Sequence, residues 1–86
     1  MDMHEIEGKL IAIITAFSNE LPANEVTEMQ ELAKAGEPGI ALENLCTQLY
    51  EYDVAVEAAY LDQIAAVGDA MGINKSNWEQ LTEGNE

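Results

Sequence analysis

The stretch from Gly36 to Asp53, GEPGIALENLCTQLYEYD, constrains this chain most, because it joins a clear helix start to the densest apolar stripe in the sequence. Pro38 suits the first turn of a helix, where the N–H it lacks is not needed and its φ is already helical. Ile40, Ala41, Leu42, Leu45, Cys46 and Leu49 then recur at the three-and-four spacing of one helical face. Glu43, Asn44, Thr47, Gln48 and Glu51 fall mostly on the other side. A helix with such a face must bury it, so the rest of the chain has to supply the cover.

The flanking segments read as that cover. Asp2 is placed to cap a first helix whose inner face holds Met3, Ile6, Leu10, Ile13, Ile14 and Phe17, and Gly8 weakens this helix without ending it. Leu21-Pro22 opens the next connection, since the residue before proline is pushed out of the helical region. A second helix then begins between Pro22 and Asn24, turns Val26, Met29, Leu32 and Ala33 inward, and ends in a left-handed cap at Gly36. Asp53 reads as the cap of a fourth helix running to Met71, where Gly72 followed by Ile73 has the order of a Schellman-type end. Ser76 to Glu79 fits a capping box, so a short fifth helix should lay Trp78 and Leu81 on the body before the Gly84-Asn85-Glu86 tail frays. No alternation of apolar and polar residues lasts long enough to read as a strand.

These readings give a single all-α domain over residues 1–86, a compact bundle of four helices plus a short C-terminal helix. Its expected core is Ile13, Phe17, Leu42, Leu45, Leu49, Leu61 and Ile64, which sit mid-stripe on the three longest helices.

Charge narrows the function classes. Seventeen Asp and Glu stand against three Lys and no Arg, a formal net charge of -14. Binding phosphate needs cations to displace counterions, and Lys9, Lys34 and Lys75 are too few and too scattered, so direct nucleic-acid binding is disfavoured. An anionic membrane surface is disfavoured on the same ground. The natural complement is a basic protein, because a field of this sign speeds encounter with a positive surface; the plainer reading is an acidic coat that only aids solubility.

Ligand and catalytic patterns are absent. His4 is the only histidine and has no cysteine near it in sequence, and neither a calcium loop nor a phosphate-cradling glycine loop occurs. Cys46 is the only cysteine and lies in the apolar stripe, so it reads as a small buried hydrophobe. Carrier proteins with a serine-attached prosthetic group resemble this chain in size and charge, but their Asp-Ser-Leu type attachment motif is missing, the two serines standing in FSN and KSN. The expectation is a non-enzyme without metal or cofactor. An acidic start without a positive segment, and a Leu10 to Ile14 run too short to span a bilayer, add the expectation of a cytoplasmic protein.

The Gly36 to Asp53 segment closely resembles bacterial immunity proteins of the MafI type, found beside polymorphic and contact-dependent toxins, with weaker support from Trp78 to Leu81. The resemblance implies a protein that binds and neutralises a cognate toxin domain, a basic nuclease, with an RNase of the EndoU type suggested by related systems. An acidic helical adaptor, or a nucleic-acid mimic that blocks another basic protein, would also fit the composition.

The expected partner surface is the turn after the central helix, where Tyr50, Glu51, Tyr52, Asp53, Glu57 and Tyr60 fall close together. Tyrosines supply rigid contact area with a polar tip, and the carboxylates would meet Lys and Arg of a basic partner. Glu57 is expected between Val54, Leu61 and Ile64, inside an apolar face where a charge needs a reason. The competing reading is that Glu57 reaches water in a first helical turn and the tyrosines edge the core.

Overall fold

A computed structural model describes residues 1–81, so the expected fraying of Gly84 to Glu86 lies outside the described residues. Five helices follow in order: α1 (Met3–Ala16), α2 (Ala23–Lys34), α3 (Pro38–Glu51), α4 (Ala58–Ala70) and α5 (Ser76–Glu79). The protein is all-α. Its radius of gyration is 11.6 Å, against about 12 Å expected for one compact domain of this length.

Helix α3 touches each of the other four helices, and no other helix does. Its inner face, Ala41, Leu42, Leu45, Cys46 and Leu49, is fully excluded from solvent. Ile6, Leu10, Ile13 and Ile14 of α1, Val26, Met29 and Ala33 of α2, and Ile64 and Val67 of α4 close around it. Among the described residues the buried set contains no charged side chain. Aliphatic burial, at roughly 25 cal/mol per Å², is therefore the main favourable term in this fold.

Three of the helices end in the same device. In α2, Glu37 N–H donates to Leu32 O (2.9 Å) across Gly36 at φ 87. In α4, Ile73 N–H donates to Gly68 O (3.0 Å) and Gly72 N–H to Asp69 O (3.1 Å), with Gly72 at φ 72. Helix α3 ends likewise, but with Asp53 at φ 55 in the glycine position: Val54 N–H donates to Leu49 O (3.0 Å) and Asp53 N–H to Tyr50 O (3.1 Å).

This third stop corrects the expected start of the fourth helix. Asp53 terminates α3 and does not cap α4; residues 54–57 run on without helical structure, and α4 begins at Ala58 with Glu57 as an extended cap residue. The link alternates: Val56 is fully buried and Val54 half-buried, while Ala55 and Glu57 face water. Branched side chains favour this extended backbone, and the alternation is too short to pair as a strand.

Smaller corrections to the apolar stripes share a cause, position in a first helical turn, where the bundle's cover runs out. Leu61 packs on the core only half-buried, whereas Met3 (56%) and Ile40 (46%) are exposed although their spacing puts them on inner faces. The cap of α5 is also shifted: Ser76 lies within the first turn, and its N–H donates to Asn74 Oδ1 (2.8 Å). The short helix still delivers Trp78 and Leu81 to the core, exposed by 8% and 6%.

Trp78 lands on Gly68 of α4. A methyl group added at Gly68 would press into the six-membered ring of Trp78, with its Cε3 atom 3.0 Å away. Gly8 on α1 has nothing within 4 Å of the equivalent position. Gly8 and Gly68 therefore predict opposite outcomes. Gly8→Ala should stabilise the fold by about 0.5–1 kcal/mol through helix propensity alone. Gly68→Ala should destabilise it by about 1–2 kcal/mol, overpacking outweighing the same propensity gain. Chemical denaturation checks both, and only Gly68→Ala should red-shift the Trp78 fluorescence as the ring is pushed outward.

Candidate functional site

The site expected after the central helix divides in two. Tyr50 and Glu51 close α3, Tyr52 is its C-cap residue and Asp53 is the left-handed stop, so these four sit on one turn. Tyr50 and Tyr52 are 57% and 54% exposed, and neither edges the core. Glu51 and Asp53 are exposed beside them.

Tyr60 belongs to a different environment. It is half-buried, and its ring packs on Phe17 with centroids 5.3 Å apart and planes at 60°, a tilted pair of the favourable kind. Its task is to join the start of α4 to the end of α1. Glu57 is exposed just before α4, at the edge of the bundle and not inside an apolar face. The link of residues 54–57 still holds it within about 14 Å of Asp53, the reach of four extended residues.

A helix C-terminus carries partial negative charge, which cations in the last turn normally offset. Helix α3 has no basic residue in its last turn, and Glu51 and Asp53 add charge of the wrong sign. Among the described residues the one ion pair, Lys75 with Glu79 at 3.8 Å, is exposed and lies on α5. The side-chain hydrogen bonds among the described residues leave the Asp53 carboxylate without a donor.

No group of three or more His, Cys, Asp or Glu among the described residues could hold a metal ion. Cys46 is fully buried. Burial, and secondarily the Glu43 carboxylate, push its thiol up to about 12.

A second exposed apolar group, which sequence reasoning missed, lies at the opposite end of α3. There Met3 and Ile40 share a groove with Met71 and Ile73. Spacing alone counts Met3 and Ile40 as core. The available signal was their place in first helical turns, where the bundle no longer covers a stripe.

Comparison with protein-family models, with curated proteins and with solved structures finds no match to this chain.

Two predictions follow from the residues that decide this region. A non-glycine left-handed residue is strained and this one also opposes the helix dipole, so Asp53→Gly should raise stability by about 1 kcal/mol in chemical denaturation. Cys46 should resist iodoacetamide at pH 8 in the native protein and react only as fast as the fold opens. Because the folded thiol keeps its proton well above the unfolded value of 9.0, its contribution is complete below pH 9 and is lost as pH rises toward 12. Denaturation midpoints of the wild type and Cys46→Ala, compared across that window, isolate this loss.

Proposed function

We propose that this chain is an immunity protein, which binds and neutralises a cognate toxin domain, a basic nuclease, inside the cell that makes both. The RNase of the EndoU type is the toxin that the family resemblance suggests. On this reading the chain is not an enzyme and acts by occupying the surface of its partner.

The observation that carries the reading is the end of α3, where two exposed tyrosines stand among carboxylates and the last helical turn holds no basic residue. A nuclease must hold a positive groove for phosphate. A protein of net charge -14 is drawn toward such a groove before any specific contact forms, at a rate that falls with salt. Tyr50 and Tyr52 then supply desolvated contact area, and Glu51, Asp53 and Glu57 take positions where a phosphate backbone would lie.

Co-expression with the toxin domain encoded beside it tests the function: wild type should rescue growth, and failure to do so overturns the reading. The surface is tested by a variant that respects the backbone, Glu51→Lys and Glu57→Lys combined with Asp53→Asn, since asparagine tolerates the left-handed conformation. In a variant shown to fold, affinity for the toxin domain should fall by about tenfold or more, ~1.4 kcal/mol, because attraction is replaced by repulsion. Affinity within about threefold of wild type would put the interface elsewhere.

A further inference from the structure

The first turns of α1 and α3 and the last turn of α4 enclose an open groove of about 420 Å³, within the roughly 300–1,000 Å³ of ligand-binding clefts. Its walls include Met3, Ile6, Ile40, Met71 and Ile73, and its charged lining is Glu37 and Glu43 with no lysine. Met3 and Ile40 are about half exposed, on a surface otherwise rich in carboxylates. Methionine adapts to irregular shapes and is favoured where an apolar surface must accept a partner.

We propose that this groove docks a peptide segment of a partner protein in which apolar anchors are flanked by Lys or Arg. The apolar walls select the anchors. Glu37, Glu43 and the field of the whole molecule select the cationic flanks. Other occupants have the wrong chemistry. A second copy brings another -14, and like charges repel. Residues 82–86 of the chain itself, TEGNE, offer two carboxylates and no large apolar side chain. An anionic amphiphile meets two carboxylates and no lysine in the lining.

The groove and the tyrosine turn lie at opposite ends of α3, a helix of 14 residues, hence about 20 Å apart along its axis. The proposal does not rest on the immunity reading, and its test involves no toxin. The full chain, labelled with ¹⁵N, is titrated with a synthetic amphipathic peptide of Leu and Lys, while fluorescence anisotropy gives the affinity. Shift changes should concentrate at Met3, Gly39, Ile40 and Met71 to Ile73. The same peptide with Glu in place of Lys should not bind. Ile40→Gln, an exposed position whose change should leave the melting temperature unaltered, should weaken the Leu/Lys peptide by about tenfold, and Tyr50→Gln should not. The proposal is overturned if shifts spread evenly over the acidic helix faces, if the Glu peptide binds equally well, if Ile40→Gln stays within about threefold, or if sedimentation shows a second copy in the groove.

Discussion

Everything in this fold depends on the buried face of one helix. Ala41, Leu42, Leu45, Cys46 and Leu49 are fully excluded from solvent because four other helices lie against α3. The dependence is heightened by charge. Self-repulsion at -14 opposes compaction. The one ion pair among the described residues is exposed on both sides, where such a pair contributes little. Aliphatic packing must therefore outweigh both conformational entropy and repulsion.

That constraint explains how much of the fold was legible. The stripes of α1, α2 and α3 could be read from spacing because each has a single inner face, and a face excluded from water must be apolar at helical intervals. Gly36 and Gly72 announced two of the helix stops, since glycine is the residue that takes the left-handed position without strain. The third stop uses Asp53, a residue type favoured at the opposite end, as the cap of a helix start. A local chemical signal thus pointed the wrong way, and only the hydrogen bonds from Val54 and Asp53 back into α3 reveal which role won.

The candidate site was legible in part, for the same reason. Tyr50, Glu51, Tyr52 and Asp53 are contiguous, so any fold that ends α3 there presents them together. Glu57 and Tyr60 depended on the placement of α4. The extended link removed Glu57 from the apolar face and gave Val56 the buried position that a continuous helix would have assigned differently. The pairing of Tyr60 with Phe17 is a contact between distant segments that no local pattern encodes. The groove at the other end was not legible, because helical periodicity states which side of a helix is apolar but not how far along it the neighbours reach.

On the proposed reading, charge and apolar exposure divide the work of recognition between them. A net field acts at a distance and favours any cationic surface, so it raises encounter rates without choosing among basic partners. Choice has to come from groups that lose water on contact and fit only one shape. Among the described residues the exposed large hydrophobics are Met1, Met3, Ile40, Tyr50 and Tyr52. Tyr50 and Tyr52 stand at the end of α3, while Met3 and Ile40 stand at its start. The helix that holds the core together therefore also carries Ile40 and Tyr50 at its two ends, with Met3 of α1 beside the first and the C-cap Tyr52 beside the second. Because the inner face of α3 is fully buried, the helix fixes the separation of those two ends, so a partner engaging both would be selected by spacing as well as by chemistry.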